Sequence, residues 1–332
     1  MNRKIFQLML ILLIAVSTAF AQKKVKIKFA TLAPEGTTWM NVMNEFSESV
    51  KEKSNGTISF RFYAGGTQGD EKDVIRKMRI GQVHSGGFTG VGMGTILPEV
   101  RILDTPFLYK TKAEVDFIAD KFFDRFAAGF EKKGYVLLGW AEVGWVYIYT
   151  NKPVNAESEM DGVKMWMWEG DPISRATFEA FNVSPIPLSI TDVLTSLQTG
   201  LIDGVYTSPL GAVALQWFTK VKYVLDIPMA NSNGAVLISK KMFNKLSPDQ
   251  QKILKEEGRK YFGKLTQLSR EDNSKSQKTM YDYGMQKTTV TDPKLLEEFE
   301  VLGKKARQNL VGELYDQKLL DDVEQALEEF RK

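Results

Sequence analysis

The sequence predicts an α/β protein with two lobes around a cleft. In residues 24–150, segments in which every second residue is apolar alternate with segments in which apolar residues have helical spacing. A similar series follows residue 150. After Ser247 the pattern changes to long amphipathic helices, and no proline occurs between Pro248 and Pro293. The order of strands and helices in the first unit indicates a mainly parallel sheet.

The first unit begins where valine, isoleucine and phenylalanine alternate with lysine in residues 24–32, which is typical of a strand with one buried face. Thr37 or Thr38 is suited to cap the helix that follows. In chain order, the predicted elements are strand 24–32, helix 39–53, strand 57–63, helix 70–79, strand 83–88, helix 112–130, and strands 135–140 and 145–150.

The second unit is predicted to contain shorter elements. They are strand 162–168, helix 172–181, extended segment 183–188, helix 190–199, strand 201–207, and extended segments 223–227 and 234–239. Beyond Ser247 the pattern fits one helix of about 35–40 residues, or two helices broken near residues 269–274. Amphipathic helices are predicted for residues 295–310 and 319–330.

Residues 1–21 have the pattern of a cleavable export signal. A short basic start precedes an apolar stretch of a dozen residues, and Ala19 and Ala21 form an Ala-x-Ala end. The alternative is a membrane anchor, but the stretch is short for a span of about 20 residues. We expect cleavage after Ala21, a periplasmic location, and a net charge that falls from +3 to near +1 with the loss of Arg3 and Lys4.

The composition excludes several kinds of chemistry. The 332 residues include no cysteine and one histidine, His84, so disulfides, cysteine-based zinc sites, thiol catalysis and two-histidine metal sites are excluded. A Ser-His-Asp triad would require His84, which lies in a segment that reads as a buried strand. The near-neutral charge argues against a nucleic-acid partner. We therefore expect no catalysis, cofactor or metal site.

Six segments carry a recognisable series of motifs. They are Phe29–Trp39, Leu103–Leu108, Tyr149–Val154, Asp161–Met165, Ser196–Gly204 and Leu246–Lys252, of which the last two are the more specific. In order and spacing, this series resembles the solute-binding proteins of TRAP transporters, the tripartite ATP-independent periplasmic family. The resemblance spans about residues 24–310.

The resemblance implies a periplasmic binding protein fold with crossing hinge strands and a long bracing helix that starts near residue 248. It implies a first lobe of residues 22–143 plus 232–271 and a second lobe of residues 144–231 plus 272–332. The hinge crossings are expected near residues 143–150 and 230–236. The implied role is to close on a small organic ligand and deliver it to TRAP-type membrane permease subunits.

One departure from the family pattern bears on the ligand. The family usually holds a ligand carboxylate with an arginine in a pattern like Gly-Leu-Lys-Ile-Arg, whereas this sequence has Trp166 at the arginine position after Gly162. A second family arginine is missing before Tyr149. Tryptophan cannot replace the planar, charged fork of arginine. The departure disfavours a dicarboxylate or a sialic-acid-like ligand.

Strand geometry then defines an aromatic candidate site. Alternate residues of a strand share a face, so Trp166 and Trp168 point together, as do Trp145, Tyr147 and Tyr149. Such rings suit an apolar or aromatic ligand, or a quaternary ammonium group with Glu142 or Glu169 as counter-charge; the alternative is that they are ordinary core. The candidate ligand-binding residues are Trp39, Phe88, Trp145, Tyr147, Trp166, Trp168, Thr207 and Ser208.

Two other functions remain as alternatives. The first is a periplasmic carrier of a lipid-like or hydrophobic molecule that works with a partner protein rather than with a permease. A secreted hydrolase is disfavoured because no nucleophile and base stand in a recognisable arrangement.

Overall fold

The computed structural model describes residues 24–332, and the predicted signal peptide lies outside the described residues. The strands are β1 Val25–Ala30, β2 Ile58–Tyr63, β3 Ser85–Thr89, β4 Tyr135–Trp140, β5 Gly144–Thr150, β6 Trp166–Trp168, β7 Ile186–Leu188, β8 Gly204–Thr207, β9 Tyr223–Ser232, β10 Gly234–Ser239 and β11 Gln286–Thr288. The α/β class predicted from the sequence is confirmed.

The helices occupy the segments between these strands. They are α1 Thr38–Lys53, α2 Glu71–Arg79, α3 Gly90–Ile96, α4 Lys112–Lys121, α5 Phe123–Lys132, α6 Pro172–Ala180, α7 Val193–Thr199, α8 Pro209–Ala214, α9 Lys240–Phe243, α10 Pro248–Asp282, α11 Pro293–Asn309 and α12 Gln317–Phe330. A 3₁₀ segment, Pro98–Asp104, follows α3. The predicted helix 112–130 is two helices, because the backbone of Phe122 leaves the helical conformation.

The first lobe is built on a five-stranded sheet of order β2-β1-β3-β10-β4. Strand β1 is parallel to β2 and β3, whereas β10 is antiparallel to both of its neighbours. The strands β1 to β4 therefore all run in the same direction, in agreement with the predicted mainly parallel sheet, and β10 alone runs against them. The physical reason is that β10 follows β9 directly, so it enters the first sheet from the second lobe rather than through a crossover helix.

The second lobe is built on a four-stranded sheet of order β11-β9-β5-β8, beside a parallel pair formed by β6 and β7. The chain passes between the two large sheets in residues 141–143, which join β4 to β5, and again at Asn233, which joins β9 to β10. These two crossings bring the ends of β4 and β10 close to the ends of β5 and β9.

Helix α10 is one unbroken helix of 35 residues. It begins with a capping box in which the Ser247 and Gln250 side chains bond reciprocally to each other's backbone amides. It packs against α1 and β4 of the first lobe and against α8 of the second. A Cβ at Gly258 would lie 2.7 Å from the Leu138 carbonyl oxygen, so glycine allows this close approach to β4.

The same helix holds one of the crossings. Nδ2 of Asn273 donates to the Val143 carbonyl at 2.8 Å, and its Oδ1 accepts from the Leu210 amide at 2.9 Å. One side chain of α10 thus connects the residue before β5 to α8, which places the brace at the hinge.

The last two helices pack on different lobes. Helix α11 packs on α6, where the rings of Phe299 and Phe181 are 5.4 Å apart. Helix α12 instead packs on α4 of the first lobe, and the rings of Phe330 and Phe117 are 4.7 Å apart. The assignment of all of residues 272–332 to the second lobe thus differs from the structure, because the apolar face of α12 completes the first-lobe core. None of the helices in residues 24–332 is long and apolar enough to cross a membrane.

Candidate functional site

A cavity of about 250 Å³ lies between the two lobes, beside the crossings. Its wall comes from the loop after β1, the ends of β3 and β8, the crossing segments, β6, and the first turns of α6 and α8. The loop after β1 and the end of β3 are carboxyl ends of parallel strands, where ligands of α/β proteins usually bind. This position makes the cavity the candidate ligand site.

Six of the eight predicted site residues line this cavity. They are Trp39, Phe88, Trp166, Trp168, Thr207 and Ser208. Most of the wall is apolar, since aliphatic side chains of β5 and α8 complete the ring of aromatic residues. The structure therefore brings these six residues together, and their part in ligand binding remains a prediction.

The other two predicted residues, Trp145 and Tyr147, do not line the cavity. Within β5 it is Val146 and Ile148 that face it, and alternation places Trp145 and Tyr147 on the opposite face. There they line a smaller pocket of about 110 Å³ between β5, α8 and α10. The expected pairing of these residues was correct, but the face that they share points away from the cleft.

The proposed counter-charges also lie elsewhere. Glu142 lines the smaller pocket and accepts a hydrogen bond from Nε of Arg270 at 2.9 Å. Burial raises the pKa of Glu142, against the effect of Arg270. Glu169 is exposed and does not line the cavity. Neither carboxylate is placed to meet a ligand there.

Trp166 is the centre of the aromatic wall and is 1% exposed. Its ring stacks on Tyr206 at 4.9 Å and meets Trp217 edge-on at 5.1 Å. Its indole N–H donates to the Leu188 carbonyl at 3.1 Å, so no polar atom of the ring is left for a ligand. Trp166 therefore offers an apolar surface, which is rigid because neighbours hold it on several sides.

Tyr206 and Trp217 also line the cavity and were not among the predicted site residues. Tyr206 precedes the predicted Thr207 in β8, so the predicted strand 201–207 already pointed to this region. Trp217 lies in a short 3₁₀ turn without periodicity, and the sequence has no local signal that would place it beside Trp166.

Trp168 connects the lobes as well as lining the cavity. Its indole N–H donates to Oδ2 of Asp70, the N-cap residue of α2, at 3.0 Å. The same oxygen accepts from Oγ of Ser189 at 2.8 Å and from the Ile190 amide at 3.3 Å. Because Asp70 belongs to the first lobe and its three donors to the second, these bonds hold the cleft closed.

The two predicted polar residues differ in what they offer. Oγ of Ser208 caps α8 by accepting from the Gly211 amide at 3.0 Å, so one of its two acceptor positions is already in use. Thr207 is half-buried and lines the cavity, and its hydroxyl makes no hydrogen bond within the described part of the chain. Thr207 is thus the better placed of the two to orient a ligand.

The sequence-based reasoning missed a buried charged cluster on the cavity wall. Arg101, from the 3₁₀ segment, donates from Nε to Oδ2 of Asp104 at 3.0 Å and from Nη1 to Oδ1 of Asp171 at 2.7 Å. All three residues are at least nine-tenths buried and line the cavity. Burial raises the pKa of Asp104 to about 6, although the guanidinium and the Asn233 amide act in the opposite direction.

Glu71 is a third buried carboxylate on the cavity wall. It accepts hydrogen bonds from the Thr89 amide and the Gly92 amide, both at 2.6 Å, which ties α2 to the start of α3. Burial raises the pKa of Glu71 to about 7, more than these hydrogen bonds lower it. The residues that the structure describes include no cluster of side chains able to hold a metal ion.

The pKa of Glu71 predicts that this residue makes the protein more stable in mild acid than in mild base. The folded-state pKa of about 7 lies above the ordinary value of 4.5, so the folded state binds the proton more tightly. Stability is therefore gained as the pH falls through 7, by about 2–3 kcal/mol between pH 8 and pH 5. Chemical denaturation across this range measures the effect.

A Glu71→Gln variant is expected to lose that part of the pH dependence, because the amide does not titrate. Glu313→Gln, at an exposed glutamate on the surface, serves as the matched control and is expected to keep the wild-type profile. Identical profiles for Glu71→Gln and the wild type would contradict the assignment.

The fold and the cavity define a class of protein. Two lobes, two crossings, a brace across both lobes and a cavity between them are the parts of a binding protein that encloses a small solute. The family model described as "bacterial extracellular solute-binding protein, family 7" matches residues 29–311. The chain belongs to this family, the solute-binding proteins of TRAP transporters.

Several known proteins are similar to the chain. The 2,3-diketo-L-gulonate-binding periplasmic protein YiaO of Escherichia coli K12 is 27% identical over 278 residues, which are 81% of this chain and 82% of that protein. A TRAP periplasmic solute-binding protein from Pseudomonas putida F1, solved with bound D-glucuronate, is 25% identical with a TM-score of 0.79, covering 86% of this chain and 94% of that one.

A third similar protein supports the fold alone. It is a TRAP periplasmic solute-binding protein from Xanthobacter autotrophicus Py2, solved with bound β-D-galacturonate. It is 20% identical with a TM-score of 0.83, covering 90% of this chain and 98% of that one. The predicted family and the two-lobed fold are thereby confirmed.

Proposed function

We propose that the protein is a periplasmic solute-binding protein that encloses a small organic ligand with an apolar or aromatic body and no carboxylate, and delivers it to a TRAP-type permease. The observation that carries this proposal is the composition of the cavity wall. It is aromatic and aliphatic, and its one basic side chain, Arg101, is already paired with Asp104 and Asp171.

The charges of the wall support the absence of a ligand carboxylate. Among the residues that line the cavity, three are acidic (Glu71, Asp104 and Asp171) and Arg101 alone is basic. A ligand carboxylate would bring a further negative charge into a buried site that already contains more acids than bases. Uncharged ligands avoid this cost, and a quaternary ammonium group would be attracted by the aromatic faces.

The size of the cavity supports a small ligand. A volume of about 250 Å³ corresponds to roughly eight water molecules at about 30 Å³ each. It lies just below the usual range of ligand pockets, about 300–1,000 Å³. This favours a compact molecule over a long-chain lipid, and so favours delivery to a permease over the alternative of a lipid carrier.

The relatives support the role but not this choice of ligand. The names of the similar proteins mention diketogulonate, glucuronate and galacturonate, which are small organic acids. They support a small solute, a periplasmic location and a permease partner for this chain. The ligand class proposed here differs from theirs because of the chain's own cavity wall.

A thermal-shift screen with a matched solute panel tests the proposal. The panel pairs D-glucuronate and D-galacturonate with uncharged aromatic amides and alcohols and with quaternary ammonium compounds. A true ligand at a hundredfold excess over Kd stabilises the protein by about 2.7 kcal/mol, which raises Tm by several degrees. We expect such shifts from members of the second group, and native mass spectrometry then gives the stoichiometry.

The uronates are the decisive comparison. Their expected Tm shift is indistinguishable from that of sodium chloride at the same ionic strength. A saturable Tm shift with either uronate, and no shift with the uncharged or ammonium compounds, would contradict the proposed ligand class.

A further inference from the structure

We infer that Asp171 determines the ligand class. Its carboxylate binds the guanidinium group of Arg101, and it thereby takes the place that the carboxylate of an acidic ligand would otherwise take. The inference rests on the proposed function, in that it explains why the cavity excludes acids. It assigns the exclusion to one side chain, which can be removed.

The geometry is that of a carboxylate bound by an arginine across the cleft. Arg101 lies in the 3₁₀ segment of the first lobe, and Asp171 follows β6 in the second lobe. Nη1 of Arg101 donates to Oδ1 of Asp171 at 2.7 Å, the length of a strong charge-assisted bond. Both side chains line the cavity, so the bond is made at the place where a ligand is enclosed.

Asp171 is held in this position by the first turn of α6. It is the N-cap residue of α6, and its Oδ2 accepts from the Ser174 amide at 3.2 Å. One carboxylate oxygen is thus used by the helix and the other by Arg101. At 4% exposure the group cannot turn into solvent to make room for a competing acid.

The opposite side of Arg101 is equally occupied. Asp104 accepts from Nε of Arg101 with one oxygen and from the Asn233 amide, at 2.7 Å, with the other. A Cβ at Gly90 would lie 1.7 Å from Oδ2 of Asp104, so the backbone of α3 is shaped around this pair. Arg101 therefore keeps Asp104 as a fixed partner, and Asp171 is the partner that crosses the cleft.

Removing the Asp171 carboxylate is predicted to create a site for a small external one. Arg101 would then have one acidic partner instead of two, and the space left by the side chain would lie beside Nη1. The Asp171→Ser variant withdraws the charge but keeps an N-cap oxygen for α6. Asp171→Gly leaves more space at the cost of the cap.

Acetate and acetamide are the probes, because they have similar size and differ in charge. We expect acetate to raise the Tm of Asp171→Ser and Asp171→Gly by a few degrees more than acetamide or sodium chloride at equal ionic strength. Wild-type protein is expected to show no such difference. Asp292→Gly, which removes the N-cap aspartate of α11 away from the cavity, is the matched control and should not respond either.

The specificity of the response is tested by adding Arg101→Leu to Asp171→Ser, which is expected to abolish the acetate effect. Failure of both Asp171 variants to distinguish acetate from acetamide overturns the inference, and so does an equal response by Asp292→Gly. These results are separate from the solute screen. Binding of a uronate by the wild-type protein contradicts the proposed function, whereas Asp171 variants that do not respond to acetate contradict only the role of Asp171.

Discussion

Replacing Trp166 with alanine is expected to lower the free energy of unfolding by about 3–5 kcal/mol and to weaken ligand binding at least about tenfold. The side chain is 1% exposed and packs against Tyr206, Trp217 and Trp168, so its removal leaves a large void. Chemical denaturation measures the first effect. Titration with the solute that the screen identifies measures the second.

Two variants separate packing from binding. Trp145→Ala removes a half-buried tryptophan from the opposite face of β5, so its effect on ligand affinity is expected to be negligible. Trp166→Phe keeps an apolar ring on the cavity wall and is expected to retain much of the affinity. Equal affinities for Trp166→Ala and wild-type protein would remove Trp166 from the binding surface.

Replacing Arg101 with leucine is expected to destabilise the protein by about 3–5 kcal/mol at pH 8. The substitution leaves Asp104 and Asp171 buried without their shared cation. The loss should narrow as the pH falls from 8 toward about 6, because the variant takes up protons in this range before the wild type does. In the wild type Arg101 lowers the pKa of Asp104, which is about 6, so the pKa of the same carboxyl group is higher in the variant.

Arg175→Leu is the matched control for this experiment. Arg175 lies in α6 only a few residues after Asp171, but its ion pair with Glu313 is 45% exposed on both sides. Exposed pairs contribute about 0–1 kcal/mol, so a small loss with little pH dependence is expected. A loss for Arg101→Leu as small as that for Arg175→Leu would show that the buried cluster is not stabilising the closed cleft.

Much of the fold was predictable because the buried residues of a strand or helix recur at regular intervals in the sequence. Alternating apolar residues predicted β1 and β2 to within a residue or two. The proline-free stretch after Ser247 predicted the helical region of α10, but not whether it is one helix or two. The capping box at Ser247 and Gln250 is a local signal of the same kind. Strands, helices and helix caps of this kind depend on residues that are close together in the sequence. The spacing of those residues therefore predicts them.

The candidate site was predictable only in part. Alternation showed that Trp145 and Tyr147 share a face, as do Trp166 and Trp168. It does not say which face of a sheet meets the other lobe, and in β5 that face belongs to Val146 and Ile148. The choice of face depends on how two sheets that are distant in sequence come together.

The amino-acid sequence alone specifies which side chains are available to the protein: many aromatic rings, one histidine, no cysteine, and Trp166 at the position where the family pattern has an arginine. The position of the buried charges, in contrast, depends on how the chain folds. Arg101 and Asp171 are 70 positions apart and meet because the lobes close on each other. No local sequence pattern indicates such a pair. A buried charge is tolerated only beside groups that pair with it, and folding brings those groups together from distant parts of the sequence.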